Sequence, residues 1–398
     1  MVPNVLAHYL GIDVKELLFY SKASFLPTPK KESTVMKVFP IIKCADIACD
    51  LRCAYCFYRY MDQNVKSDSI MPLSVLEKLT EQILEINSDS CNFLWHGGEP
   101  LLAGMDFFGT ALKFQGRYKK ENTHIINGVQ TNGVLIDKKW ARFFKENNFR
   151  VGISIDGPEG IHDYYRKAVG GQGSFPQVMR GIRYCREEEL NFGTITVVTS
   201  HSANFPEEIY RFLKDVGVKK MAFNPAFEMD NEGNVCDFSV SDPAFSTFLE
   251  KILLIWLEED DPTVEIRQFI DPMRGMLGGN PSACIYSGLC EQFLDIYPSG
   301  NVRPCHSRNG EADVLGNILS ERLIDILQGE NYRQFLLSVR KPPTGCLGCH
   351  WFSICHGGCT DYRNLSADGS MGDKYFYCGS RKAVFNILEE KLKANEGI

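Results

Sequence analysis

The stretch Cys49-Asp50-Leu51-Arg52-Cys53-Ala54-Tyr55-Cys56-Phe57-Tyr58 decides how this chain is read. It sets three cysteines at C-x3-C-x2-C spacing directly after the apolar run Met36 to Lys43, which reads as a strand. Three thiolates on one short loop suit an iron–sulfur cluster, and a cubane with only three protein ligands keeps one iron open to a small molecule.

Outward from that loop, strand-like and helix-like runs alternate from Val35 to about Glu259, the pattern of βαβ units and a parallel sheet. After Met36 to Lys43 the strands are expected at Asn92 to His96, Ile125 to Gln130, Val151 to Ile155, Phe192 to Thr199 and Lys220 to Asn224. Helices are expected at Pro72 to Ile86, Met105 to Tyr118, Lys138 to Asn147, Phe175 to Glu188, Phe205 to Val216 and Pro243 to Leu257. The first places Leu73, Leu76, Leu79, Ile83 and Ile86 on one face, and Phe205 to Val216 has Pro206 in its first turn and Gly217 just past its end. Six βα units are too few to close an eight-stranded barrel, so the fold class is α/β, a partial (β/α)6 TIM-type barrel with its chemistry at the C-terminal strand ends.

The strand ends carry polar motifs. The second strand runs into Gly97-Gly98-Glu99-Pro100, where glycines let backbone approach a ligand and a carboxylate can accept from an ammonium; alone it is also an ordinary turn. The third ends in Gln130-Thr131-Asn132-Gly133, and the fourth in Ser154-Ile155-Asp156-Gly157-Pro158, followed by His162 and Arg166. Taken alone, Asp156-Gly157 is a turn and Arg166 a solvated charge.

The triad, ending in Tyr55-Cys56, resembles the signature of radical S-adenosylmethionine (SAM) enzymes. The resemblance implies that Cys49, Cys53 and Cys56 hold a [4Fe–4S] cluster whose open iron binds SAM. It further implies reductive cleavage to methionine and a 5′-deoxyadenosyl radical that abstracts hydrogen. Gly97, Gly98, Glu99 and Pro100 match the motif that binds the methionine amino group; Ser154 and Arg166 match the positions that hold ribose and carboxylate. Tyr55, Asn132 and Thr199 complete the expected contacts.

Eight of the fifteen cysteines crowd into Cys284 to Cys378, where the strand–helix alternation has ceased. Cys290-x9-Gly300-x4-Cys305, then Cys346-x2-Cys349-x5-Cys355-x3-Cys359 and Cys378, resemble the SPASM domain of radical enzymes that modify peptides and proteins. Cys284 supplies an eighth thiol. By the family pattern Cys284, Cys290, Cys305 and Cys359 hold one auxiliary [4Fe–4S] cluster, and Cys346, Cys349, Cys355 and Cys378 another, giving three clusters with SAM. A zinc knuckle at Cys346-x2-Cys349 is the plain alternative. Residues 291 to 304 read as a hairpin turning at Pro298-Ser299-Gly300-Asn301. Cys185, beside Val178 and Ile182 on a helix face, reads as a small buried hydrophobe, and Cys44, Cys91 and Cys236 are assigned to no cluster.

The organisation expected is an extension over 1–35 with one helix at Val14 to Lys22 and a Pro/Lys/Ser linker, a radical SAM barrel over 36–259, and a connection over 260–282. An auxiliary-cluster domain over 283–382 and a closing helix over 383–398 follow; the helix itself is read from Arg381 to Ala394.

The resemblance is closest to anaerobic sulfatase-maturating enzymes, which oxidise Cys or Ser to formylglycine. It rests on Cys56-Phe57-Tyr58, Gln130-Thr131-Asn132-Gly133, Asp156-Gly157-Pro158 and the C-x5-C-x14-C spacing of Cys284, Cys290 and Cys305. Two positions depart. That family carries Asp after the cysteine matching Cys305, where this chain has His306, and Gln before Gly-Gly-Glu-Pro, where it has His96 after Trp95. Both positions are expected to face substrate, and both steps look more like maturases of ribosomally synthesised peptides. The expected activity is therefore hydrogen abstraction from a peptide residue, leading to a thioether or other crosslink. Formylglycine formation is the alternative, and a non-catalytic electron-transfer or zinc protein a further one. His306 is a candidate base, since a neutral imidazole accepts protons near neutral pH, or a surface histidine. Tyr58 is expected to line the pocket or simply to pack, and His350 and His356 are read as bystanders.

The rest of the composition is ordinary. Hydrophobic residues make up 44% and charged residues 23%, with no apolar run near the ~18 residues of a membrane span. A net charge of −7 offers no footprint for nucleic acid. The start of the chain lacks a basic leader and cleavage site, and fifteen cysteines fit metal binding in a reducing compartment, so the expectation is a cytoplasmic monomer. The electron donor implied by the family is a small flavodoxin or ferredoxin.

Overall fold

The computed structural model describes residues 37–59, 69–87, 89–230, 232–305, 313–363 and 373–394. The expected helix at Val14 to Lys22, its linker and His306 lie outside them. Six parallel strands form the centre of the molecule: β1 Phe39–Lys43, β2 Ser90–His96, β3 His124–Thr131, β4 Arg150–Ser154, β5 Phe192–Val198 and β6 Lys220–Pro225. All six fall where the strand-like runs placed them, and they pair in chain order.

The crossover helices are α1 Leu73–Ile86, α2 Met105–Tyr118, α3 Lys138–Glu146, then α4 Glu159–Tyr165 and α5 Phe175–Glu187, with α6 Pro206–Asp215 and α7 Asp242–Glu259 after them. Alternation along each strand divides two environments. On β2, Cys91, Phe93 and Trp95 are buried toward the helices, where Trp95 meets the rings of Phe107 and Phe108. The intervening side chains point to the concave side. In α1 the buried face is Val75, Leu76, Leu79 and Ile83; Leu73 is exposed, contrary to expectation. Gln82 on the same helix donates to the Ile318 carbonyl and accepts from the Leu323 N–H, so α1 also serves the C-terminal region.

The sheet does not stop at six strands. β7 Glu265–Ile266 extends it beyond β6, and β8 Phe293–Ile296 pairs parallel to β1 at the other edge, followed by antiparallel β9 Asn301–Pro304 and β10 Gly316–Asn317. β8 and β9 form the expected hairpin, with Gly300 at φ +84° in its turn. Residues 260–282, expected as a bare connection, contain β7 and helix α8 Arg267–Met276. Asp271 on α8 accepts from the N–H groups of Ser282 and Ala283, fixing the entry to Cys284.

The cysteine-rich region is held by short elements: α9 Cys284–Ser287, α10 Leu323–Gln328, α11 Glu330–Arg340 and α12 Phe352–Cys355. The last helix, α13 Cys378–Ala394, begins three residues before its expected start, and Asp242 at the start of α7 accepts from its Gly379 and Ser380 N–H groups. Tyr377 donates to the Ala226 and Val240 carbonyls. Among the described residues, no helix is long and apolar enough to cross a membrane.

Candidate functional site

The concave face of the sheet opens on one cavity of about 920 Å³, of a size that takes a small molecule and more. Cys49, Cys53 and Cys56 line one side and Cys284, Cys290, Cys305 and Cys359 the other. Between them stand the inward side chains of the strand ends: His96, Gln130, Ser154, Val197 and Asn224.

The triad loop is fastened to its surroundings by backbone. Arg52 and Ala54 N–H donate to the Lys167 and Tyr165 carbonyls, and Gly98 and Glu99 N–H donate to the Asp46 and Ala48 carbonyls at 2.7 Å. A Cβ on Gly98 would lie 2.1 Å from the Ala48 oxygen, and Gly97 has φ +125°. The glycines thus permit close approach first to the chain's own cysteine loop, while both also line the cavity. Cys49 Sγ accepts from Leu51 N–H at 3.4 Å and Asn132 Nδ2 at 3.6 Å, and Arg166 Nη1 lies 3.9 Å from Cys53 Sγ. Burial pushes the Cys53 thiol up to about 12, against the pull of Arg166.

Asp156, which the sequence shows only as a turn residue, is the hub behind this loop. It accepts from Arg166 Nε at 3.1 Å, from the Tyr55 hydroxyl and from Val197 N–H at 2.9 Å. Arg166 is therefore a buried, paired charge and not a solvated one, and it still lines the cavity with Tyr55 and Ser154. His162 supports the hub: its Nδ1 accepts from Asp156 N–H, and burial lowers its pKa to about 4, so the ring is neutral. Glu99 is wholly buried behind the cavity wall, where it accepts from Thr131 Oγ1, Asn132 N–H and Leu101 N–H, and burial pushes it up to about 7. Pro100, also buried, and Glu99 do not line the cavity, whereas Asn132 does. Thr199 corrects an expectation: it is buried, its hydroxyl is 3.1 Å from Ser202 Oγ in a turn, and it is outside the cavity lining.

Beside Gly97 and paired in register with His96, Lys43 lies fully buried inside β1, where the sequence shows an isolated lysine ending an apolar run. Its Nζ donates to Asp295 Oδ2 on β8 at 3.1 Å and to the Tyr58 hydroxyl at 2.7 Å. Burial opposes its charge, but Asp295, Tyr297 and Cys305 more than offset that and hold it above the usual lysine range. Tyr58 Oη is 3.5 Å from His96 Nδ1, which accepts from Gly97 N–H at 2.7 Å. Tyr58 and His96 both line the cavity. Trp95 does not: it is buried among aromatic rings and donates to Asn127 Oδ1, so the Trp95-His96 pair presents only its histidine. Asp295, the partner of Lys43, and Arg267, which lines the cavity and donates to Asn224, escaped sequence reasoning because their partners are distant in the chain.

The remaining thiols influence one another in the two expected groups. Cys359 is raised by burial, then by Asp361, Cys284 and Cys290, and Cys284 is pushed up to about 11 by burial and Cys290 while Arg267 and Arg381 pull it down. Cys346 is raised by burial and then by Cys355, Cys378 and Cys349. Among the described residues no three His, Cys, Asp or Glu side chains converge tightly enough for a single metal ion. Buried or partly buried thiols that repel each other's ionised forms, with N–H donors aimed at sulfur, fit the ligand sets of iron–sulfur clusters. Cys44, Cys91 and Cys185 are buried outside these groups.

Comparison with known proteins agrees with this geometry. The radical SAM superfamily model matches residues 47–221, and the model of the SPASM iron-sulfur cluster-binding domain matches 289–350. A cysteine-type anaerobic sulfatase-maturating enzyme of Clostridium perfringens is 34% identical over 360 residues, covering 88% of this chain and 96% of the relative. A serine-type enzyme of Bacteroides thetaiotaomicron is 31% identical over 364 residues, covering 86% and 87%. Among solved structures, native anSMEcpe with bound AdoMet superposes with a TM-score of 0.82 at 31% identity, over 91% of this chain and 100% of that one. SuiB of Streptococcus suis bound to S-adenosylmethionine, at 16% identity and a TM-score of 0.62 over 85% of this chain and 76% of its own, shares the fold. The chain belongs to the radical SAM superfamily with a SPASM domain, in the family of the anaerobic sulfatase-maturating enzymes, and is an oxidoreductase that uses [4Fe–4S] clusters and S-adenosylmethionine.

Proposed function

We propose that the chain oxidises a cysteine or serine side chain of a sulfatase to formylglycine. The observation that carries this reading is the single cavity onto which the triad, the strand-end motifs and Cys284, Cys290, Cys305 and Cys359 all open. The likeness over nearly the full length of relatives with that activity, and a solved relative with bound Cp18Cys peptide, support a polypeptide as its occupant.

On this reading Cys49, Cys53 and Cys56 hold the cluster that binds SAM, and the two later groups of four hold auxiliary clusters. When bound, SAM and the first cluster supply a 5′-deoxyadenosyl radical that abstracts hydrogen from the substrate carbon. Gly97, Gly98, Asn132, Tyr55, Ser154 and Arg166 form the SAM berth, oriented by Asp156. Glu99 and Pro100 shape that berth from behind, and an ammonium placed there would favour the ionised form of Glu99, whose buried carboxyl is held near 7. Lys43 and Asp295 fix the Tyr58 hydroxyl at the substrate side, and His306, next in sequence to Cys305, takes the substrate proton. Residues 36–259 would be the radical-generating unit and 283–382 the auxiliary-cluster unit, working as a monomer with a flavodoxin- or ferredoxin-type donor. Crosslinking of a ribosomally synthesised peptide is the second reading, favoured by His96 on the cavity wall where the family carries Gln.

Anaerobic incubation of reconstituted chain with SAM, dithionite and a sulfatase peptide tests the first reading. Formylglycine, seen by mass as loss of two hydrogens with sulfur replaced by oxygen in the cysteine form, supports it. 5′-Deoxyadenosine without a modified sulfatase peptide, together with a crosslink in a small precursor peptide, reverses the ranking.

A further inference from the structure

Arg381 lies in the first turn of α13 and is 6% exposed. Its guanidinium is held between two rings, with Cζ 4.4 Å from the centroids of both Tyr286 and Tyr375. Nη1 donates to the Ile285 carbonyl at 2.8 Å and to Cys355 Sγ at 3.2 Å, and lies 3.4 Å from the Cys355 carbonyl. Nη2 is buried with no hydrogen-bond acceptor among the described residues. A buried guanidinium N–H without an acceptor is costly, so the site is built for an acceptor that the described residues do not supply.

The neighbours of this one side chain belong to both thiol groups. Ile285 follows Cys284, and Cys355 sits in the other group. Arg363 also feels thiols of both groups, but its donors go to the Gly357, Val339, His356 and Gly358 carbonyls. Arg363 braces a loop; Arg381 touches sulfur.

We infer that Arg381 is a counter-charge shared by the two auxiliary cluster sites, and that it raises the reduction potential of both. The inference rests on the cluster assignment proposed above. Reduction of such a cluster adds one electron and no proton, and a fixed cation with an N–H···S contact stabilises the added charge. An electron leaving an oxidised side chain in the cavity is thereby held on the auxiliary side.

The test is a redox titration of the fully reconstituted chain followed by electron paramagnetic resonance, with and without SAM to mark the triad's cluster. Arg381→Gln is expected to make both auxiliary clusters harder to reduce, by about tenfold in the one-electron equilibrium, or about 59 mV. The larger shift is expected at the Cys355 cluster. Arg381→Lys, which keeps the charge, should recover most of the shift. Full iron content with unmoved potentials, or equal shifts in both variants, would overturn the inference. If the glutamine variant fails to hold iron, the lysine variant decides: near-native potentials uphold a charge role, and potentials lowered by about 59 mV, tenfold in the one-electron equilibrium, refute it. A native chain with about four irons instead of about twelve would sink the cluster assignment itself, separately from any role of Arg381.

Discussion

The strand ends of β2 to β5 and the cysteine-rich region meet across one cavity, yet they satisfy their buried groups in opposite ways. At the strand ends, Asp156 and Glu99 each collect three protein donors, and Arg166 has its carboxylate in place. In the cysteine-rich region buried or partly buried thiols such as Cys346 and Cys359 are raised by burial and by other thiols, and among the described residues Arg381 has an N–H with no acceptor. The first half pairs its buried groups within the chain. The second is expected to be completed by what it binds, as in small metal-dependent domains where binding energy is folding energy.

Iron removal is the sharpest way to break that contrast, and the largest effect is expected there. In iron-free chain, amides of 284–305 and 344–363 should lose hydrogen-exchange protection while β2 to β5 keep theirs. Equal loss in both halves would show that the strand ends also depend on their cluster. The next effect belongs to the organised half. Asp156→Ala strands the buried Arg166, and breaking such a pair from one side costs about 3–5 kcal/mol, read from the denaturant midpoint. Adding Arg166→Met should recover part of that loss, because the unpaired charge is removed as well.

The same contrast explains what could be read in advance. Strands and crossover helices of the barrel were readable because their apolar periodicity is local, as in the match of Met105–Tyr118 end to end. Helix α4 was missed because Glu-Gly-Ile-His-Asp-Tyr-Tyr has no apolar stripe, and α8 because it carries Pro272 inside. The grouping of the eight later cysteines is what the family resemblance implies, because spacing alone leaves a zinc knuckle open at Cys346-x2-Cys349. The polar supports left no such trace. Lys43 finds Asp295, and Arg267 donates to Asn224, across long separations in sequence, so each looks like an isolated charge until the fold joins them. Thr199 is among the contacts that the family resemblance implies, but a local turn with Ser202 claims its hydroxyl.

Acidity gives a test of the organised half with two opposite slopes. His162 is held down to about 4 by burial, so an unfolded chain takes up a proton below about 6.5 that the fold refuses. Stability from this group is therefore lost as pH falls from about 6.5 to 4, by about 3 kcal/mol in all. Glu99 is raised to about 7, so between about 4.5 and 7 the fold holds a proton that the unfolded chain has released. Its contribution is lost as pH rises through that window, by a similar amount. His162→Gln should flatten the first slope and Glu99→Gln the second, measured as denaturant midpoints across pH. Slopes that persist in the variants would move their origin elsewhere.

The smallest effect separates cysteines that pack from cysteines that bind. Cys185 on α5 has no exposed surface, sits in the core with Val178 and Ile182, and owes its raised thiol pKa chiefly to burial, not to other sulfurs. Cys185→Ala removes one buried sulfur and should cost about 1 kcal/mol, with iron per chain and the hydrogen-exchange pattern of 284–363 unchanged. Cys359→Ala removes a thiol of similar size from a group whose members act on each other, and should lower iron by about four atoms and expose that region. Iron loss on changing Cys185 would mean that a thiol with purely apolar surroundings reaches a cluster, which its place between helix and sheet opposes.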